Sequence, residues 1–271
     1  MKRIALGLLL LTTTVALASE WLVVGNDQSG VATIWGLDPT GANPPVALYS
    51  SSTAEAKPWG MAYDPDTNTL YWNSGSVLYK SPFANPLTPV SLGTMTYNSA
   101  SVNFVGLGFS NGKLYGTRNI ATEAVYAIDP GSLTATLEYQ YNVAYDFGGL
   151  DFDMTNGKLY GLSDTAPAGQ QRGLYEITLS PGSTTFRAPY PGTETDIDGL
   201  AMYNGRAYYV TDGPNTAQPF FYIYDVATGQ QIGTLPSPFT GVGTFSAAAY
   251  VPEPASLILL GLATLLARRR S

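Results

Sequence analysis

Val105-Gly106-Leu107-Gly108-Phe109-Ser110 runs into Asn111-Gly112 and then into Lys113-Leu114-Tyr115-Gly116. Small residues alternate with large ones on the first side of the dipeptide, as in a strand packed closely on both faces. Asn-Gly is the strongest short hairpin signal, because both residues tolerate positive φ. The stretch reads as two paired strands, and it recurs. Gly148-Gly149-Leu150-Asp151-Phe152-Asp153 leads through Asn156-Gly157 to Lys158-Leu159-Tyr160-Gly161. Asp198-Gly199-Leu200-Ala201-Met202-Tyr203 leads through Asn204-Gly205 to Arg206-Ala207-Tyr208-Tyr209-Val210. An earlier copy, Trp59-Gly60-Met61-Ala62-Tyr63-Asp64, turns through Pro65-Asp66-Thr67-Asn68 into Leu70-Tyr71-Trp72. A worn copy ends the series at Phe245-Ser246-Ala247-Ala248-Ala249-Tyr250.

Third strands follow at Val125-Tyr126-Ala127-Ile128, Leu174-Tyr175-Glu176-Ile177 and Phe221-Tyr222-Ile223-Tyr224, and a weaker fourth precedes each new copy. The repeat glycines or their equivalents stand at 60, 106, 149, 199 and 246, so the spacings are 46, 43, 50 and 47. Four short strands at that period make a propeller blade. The ends complete the argument. Trp21-Leu22-Val23-Val24-Gly25-Asn26 reads as a second strand and Thr33-Ile34-Trp35-Gly36-Leu37 as a third, with no first strand before them. The copy at Phe245 is a first strand with nothing after it. Joining the ends gives one whole blade and leaves no free edge between first and last. The expected fold is all-β: a single propeller, five blades of four antiparallel strands, closed by pairing of its terminal strands. A two-sheet sandwich and a ring with a sixth, degenerate blade are the structural alternatives. Tyr209-Val210-Thr211-Asp212 and Asp225-Val226-Ala227-Thr228-Gly229 resemble YVTN- and NHL-type propeller repeats, which implies the same fold and no particular function.

Composition agrees. Of 271 residues, 45% are hydrophobic and only 12% charged, with 29 glycines, 19 prolines and 19 tyrosines. Turn formers and aromatics in that proportion suit many short strands. Cysteine and histidine are both absent. That excludes a disulfide, a thiolate nucleophile, a Ser-His-Asp triad and an ordinary zinc or haem site.

Both ends read as addresses. Met1-Lys2-Arg3 is a basic start, Ile4 to Leu11 is apolar, and Ala16-Leu17-Ala18 puts small residues where signal peptidase reads them. Residues 1–18 are therefore expected to be a cleaved secretory signal. At the other end Pro252-Glu253-Pro254 precedes an uncharged run, Ala255 to Ala267, and then Arg268-Arg269-Arg270. As a helix that run would be roughly 20 Å long, short of the roughly 30 Å hydrocarbon core. Three arginines would hold its far end in the cytoplasm. Residues 252–271 closely resemble the PEP-CTERM sorting signal of Gram-negative bacteria in motif, short apolar helix and basic cluster, in that order. The resemblance implies recognition by an exosortase near the motif, removal of the tail, and delivery to the cell surface or extracellular matrix, in a family associated with exopolysaccharide. Residues 19–251 are then the mature domain, with eight basic and nineteen acidic residues. That acidity argues against a nucleic-acid partner.

In a propeller the loop entering each first strand lies on the face where ligands usually bind, and it varies without unfolding the ring. The residues to read are Lys57-Pro58-Trp59, Asn103-Phe104-Val105, Asp146-Phe147-Gly148, Asp196-Ile197-Asp198 and Gly243-Thr244-Phe245. They predict a mouth formed by Trp59, Asn103, Asp146, Asp196 and Asp198. Three chemistries fit: a calcium site centred on Asp196 and Asp198, a glycoside hydrolase or lyase using two of the three aspartates, and a glycan pocket with Trp59 as stacking platform. Against these stands the plain alternative that aspartates before glycine cap turns. Asp64-Pro65-Asp66-Thr67-Asn68 opens like an EF-hand loop, but Thr69 and Gly75 stand where that loop needs glycine and glutamate, so a tight turn is expected. Asp151 and Asp153 share one strand face and are candidate cation holders if they reach the channel. The reading that gathers most of this is an exported, non-enzymatic binding or structural propeller, with exopolysaccharide as partner and calcium as the only candidate cofactor.

Overall fold

The computed structural model describes residues 20–253 except 119, 142–143, 193, 195, 212–218, 239–240 and 242. The signal-cleavage residues Ala16 and Ala18 lie outside the described residues, as do Pro254, Arg268, Arg269 and Arg270 of the tail.

The chain builds five antiparallel sheets of four strands each, one of them extended by a hairpin. Blade 1 holds β1 (Trp21–Asn26), β2 (Ala32–Leu37) and β3 (Val46–Ser51). Blade 2 holds β4 (Gly60–Asp64), β5 (Thr69–Ser74), β6 (Val77–Pro82) and β7 (Val90–Thr94). A small hairpin, β8 (Thr96–Tyr97) and β9 (Ala100–Ser101), comes next and pairs with the outer strand of blade 3. Blade 3 is β10 (Gly106–Ser110), β11 (Lys113–Thr117), β12 (Ala124–Asp129) and β13 (Thr134–Gln140). Blade 4 is β14 (Phe147–Asp153), β15 (Lys158–Ser163), β16 (Gly173–Thr178) and β17 (Ser183–Pro189). Blade 5 is β18 (Gly199–Tyr203), β19 (Arg206–Val210), β20 (Phe220–Asp225) and β21 (Gln230–Pro236). The last strand, β22 (Phe245–Val251), returns to blade 1 and pairs with β1 from Trp21↔Val251 to Asn26↔Phe245. The expected closure is therefore present, and the inner strands β4, β10, β14, β18 and β22 contact one another in a ring.

The repeat phrase owes its glycine to this ring. A Cβ added at Gly106 would sit 2.8 Å from the Leu150 nitrogen of the next blade, and one at Gly149 would sit 2.7 Å from Leu200 Cβ. Inner strands this close leave no room for a side chain at that position. The closing strand departs from the sequence alignment by one residue. Phe245 pairs with Asn26 as Phe147 pairs with Ser163, and Ala247 pairs with Gly25 as Gly149 pairs with Leu162. Ala247, not Ser246, thus holds the glycine position, because both strands bulge after their first phenylalanine.

The turns also differ among themselves. Asn111-Gly112 and Asn204-Gly205 are two-residue hairpins with positive φ at both positions. Asn156-Gly157 instead closes a longer loop, in which the backbone N–H groups of Asn156 and Gly157 donate to the Asp153 carbonyl. The turn after Asp64 is capped as expected: its Oδ1 accepts from the backbone of Asp66 at 3.0 Å and Thr67 at 3.4 Å.

The hydrophobic core is divided among the seams between blades. Val23 and Ile34 of blade 1 pack with Met61 and Trp72 of blade 2, and Leu78 of blade 2 packs with Leu107 and Tyr126 of blade 3. Val125 of blade 3 meets Phe147 and Tyr175 of blade 4. Leu162 and Leu174 of blade 4 meet Met202 and Tyr209 of blade 5, and Tyr208 and Phe221 of blade 5 meet Leu22 and Val24 of blade 1. Each third-to-fourth strand pairing carries an irregular step, at Ile34/Trp35, Leu78/Tyr79, Val125/Tyr126, Leu174/Tyr175 and Ile223/Tyr224. Bulges there bend the outer strands, which hinders edge-to-edge pairing with a second molecule.

Candidate binding mouth

First strands begin and second strands end at the same end of the ring. Buried polar side chains stand at or within one residue of the ends of the second strands: Asn26, Asn73, Thr117, Ser163 and Thr211. Asn73 Nδ2 donates to the Phe104 carbonyl at 2.7 Å, and Thr117 Oγ1 donates to the Phe147 carbonyl at 2.7 Å. Each bond pins the loop that enters the next blade. Ser163 Oγ accepts from the Asp146 N–H at 2.9 Å within its own blade. These bonds give the mouth a fixed backbone.

Two neighbouring cavities open on that frame, with Val105 in the wall of both. One, of 220 Å³, is lined by half-buried Trp59, exposed Asn103, Ser101, Arg118 and Ile120. The other, of 200 Å³, is lined by Asp146, Asp164, Asp196 and Asp198, with Gly148 and Ile197. The five residues singled out from sequence thus reach one end of the molecule but divide between an aromatic–cationic pocket and an acidic one.

Local chemistry shapes the acidic pocket. A Cβ on Gly148 would collide with Asp198 Oδ1, so the glycine makes room for that carboxylate. Asp164 follows β15, and its N–H donates to the Asp146 carbonyl at 3.3 Å. Burial raises the Asp146 carboxyl above its usual range, and the charge of Asp196 raises it further. Burial, then Asp146 and Asp196, push Asp164 up to about 6. Asp164 Oδ1 and the Tyr190 hydroxyl are buried without a hydrogen-bond partner. The Tyr190 phenol is held protonated by burial and then by Asp164, Asp196 and Asp198, while the Arg172 guanidinium lies 4.9 Å from its ring centroid. Behind this wall Glu123, 1% exposed, accepts from the N–H of Ala124 at 2.8 Å and of Phe147 at 2.9 Å. Burial outweighs those bonds and lifts its carboxyl to about 7. Among the described residues no group of three or more acidic side chains is placed to ligate a metal ion.

Asp151 and Asp153 share a face, as period two requires, but that face meets blade 5. Asp151 Oδ2 accepts from the Met202 N–H at 2.8 Å. Asp153 accepts from the N–H groups of Asn204 at 3.2 Å and Gly205 at 2.7 Å, besides capping its own turn through Thr155 and Asn156. They staple two blades.

Asp164, Arg118 and Tyr190 were not found from sequence. Asp164 and Arg118 carry a usable signal. Each directly follows the polar residue that ends a second strand, Ser163 or Thr117, and so reaches the mouth from the side opposite the entering loops.

Fold and mouth together define a five-bladed β-propeller with a two-pocketed face. No protein-family model and no curated protein matches the chain. Solved structures do. A chain of the nidogen/laminin complex is similar with a TM-score of 0.56 and 14% identity, covering 86% of this chain and 98% of that one. TolB from Acinetobacter baumannii is similar with a TM-score of 0.50 and 13% identity, covering 86% of this chain and 66% of its own. At such identities the likeness is one of fold.

Proposed function

We propose that the chain is an exported, non-enzymatic propeller that binds exopolysaccharide at the cell surface or in the extracellular matrix. On this reading signal peptidase removes residues 1–18, an exosortase acts near Pro252-Glu253-Pro254, and the mature ring presents its mouth to the polymer. The observation that carries the binding reading is the pair of adjacent cavities sharing Val105. Trp59 offers a face for a sugar ring, Asn103 and Arg118 offer hydrogen bonds to hydroxyls, and the four carboxylates offer acceptors next door.

A hydrolase or lyase acting on the same polymer is the second reading. It is favoured by one observation: Asp164 is raised to about 6 next to Asp146 and Asp196, which moves it toward the range in which a carboxyl serves as general acid in mildly acidic conditions. Size exclusion with light scattering on protein and exopolysaccharide, with calcium and then with chelator, separates the readings. Co-elution with polymer mass unchanged supports binding, and chelator sensitivity adds a cation at Asp196 and Asp198. A falling polymer mass makes the protein an enzyme. Absence of any interaction removes the glycan reading. The export reading has its own test: intact mass of surface-localised protein should lack residues 1–18 and the arginine cluster.

A further inference from the structure

The aromatic–cationic cavity has one charged side chain in its lining, Arg118. Its guanidinium lies over the ring of buried Tyr126, 5.6 Å from the centroid. Tyr126 is itself held edge-on by Tyr97 at 5.0 Å and by Phe104 at 5.8 Å. The face of the guanidinium is thus taken up by an aromatic floor, and its N–H edge is left for a planar acceptor. Among the described residues the ion pairs gather on Glu176, and no carboxylate neutralises Arg118.

The one addition to the five four-stranded sheets builds this cavity. In the hairpin β8–β9, Tyr97 supports the floor under Arg118 and Ser101 stands in the wall. Trp59 comes from the neighbouring blade, its backbone N–H fixed on the Asn73 carbonyl at 2.8 Å. At 220 Å³ the cavity is smaller than the about 300–1,000 Å³ of drug-sized sites, so it suits one sugar unit of a longer chain. The guanidinium fork matches a carboxylate or a phosphate. A phosphate ester carries up to two charges, and four carboxylates across Val105 make each added charge costly. A carboxylate brings one.

We propose that this cavity takes a uronic acid unit of the polymer: its ring lies on Trp59 and its carboxylate meets the N–H edge of Arg118, with Ser101 and Asn103 on the hydroxyls. The unit that reaches past Val105 toward the acidic cavity is then a neutral sugar. The inference rests on the glycan reading above and narrows it to an acidic polysaccharide.

Titration calorimetry on the full chain tests it with one exopolysaccharide fraction, native and after carbodiimide–borohydride treatment, which reduces each uronic acid to its neutral sugar. The native fraction should bind at least about tenfold more tightly. Arg118→Gln should close that gap, and Trp59→Ala should weaken both fractions. Equal affinity of the two fractions for the unaltered protein overturns the uronic acid and leaves the glycan reading standing, with no variant needed. A gap that survives in Arg118→Gln overturns Arg118 as the partner of the carboxylate. Loss of the tight binding on desulfation, with carboxyl reduction harmless, gives the anion to a sulfate ester and overturns the carboxylate. Failure of both fractions, together with failure of exopolysaccharide to co-elute, sinks this inference and the glycan reading together.

Discussion

Blade 4 carries two sets of aspartates that meet blade 5 at opposite ends of the seam, and they live in different surroundings. Asp153 is fully buried, yet its oxygens accept from Thr155, Asn156, Asn204 and Gly205. Asp164 is only half-buried, yet one of its oxygens accepts nothing and neighbouring carboxylates press on it. Depth alone therefore does not say whether a carboxylate stabilises a fold. Filled acceptors make Asp153 a staple, whereas the unfilled oxygen of Asp164 ties nothing together.

The comparison is broken most directly at Asp153. Asp153→Ala strips acceptors from donors in two blades and should lower stability by about 3–4 kcal/mol, read as a drop in the urea midpoint. A loss under about 1 kcal/mol would mean that solvent replaces the staple. Glu123 tests a carboxyl between the two extremes, with its acceptors filled but its charge still costly. Its folded value of about 7 lies above its ordinary 4.5, so its stabilising contribution is full below the ordinary value and is lost as pH rises through about 7. The unfolding free energy should fall by roughly 2–3 kcal/mol across that window, and Glu123→Gln should flatten the slope. An unchanged slope in the variant would assign the pH dependence elsewhere. Gly148→Ala probes the floor of the acidic pocket. Crowding Asp198 should cost about 1–2 kcal/mol and weaken ligand binding, and calorimetry that finds full affinity would show Asp198 to be dispensable. The smallest effect is the most telling. Asp164→Asn removes a charge that its neighbours oppose and should raise stability by about 1 kcal/mol at neutral pH, after discount for solvent screening. The same kind of substitution would then stabilise at one end of the seam and destabilise at the other.

The fold was legible because the ring imposes a repeated demand on sequence. Close approach of inner strands requires a glycine at Gly106 and Gly149 and crowds Gly60 against Leu107, Val210 of the second strand crowds Gly199, and each glycine brings the same flanking alternation. Closure was legible from the incomplete blade at each end. The shift at Ser246 was not, because an alanine fits the glycine position in the closing strand and a bulge moves the register without changing composition. The third Asn-Gly looked like its siblings, yet Asp153 draws it into a longer turn. At the mouth, sequence could rank the entering loops but not divide them. Whether Asn103 joins Trp59 or Asp146 depends on which way each loop leans across Val105. Tyr190 left no trace, since a tyrosine after a fourth strand resembles the many that fill seams.

The closing strand has a mechanical consequence. β22 starts at the mouth with Phe245 and finishes at Val251 on the far side of the ring, and half-buried Pro252 follows. A pull applied to the chain at Pro252 therefore enters the ring at the end opposite the pockets. Tension between Pro252 and the mouth would run along β22 and load its ladder with β1 in shear, where several hydrogen bonds must yield together, instead of peeling it open one rung at a time.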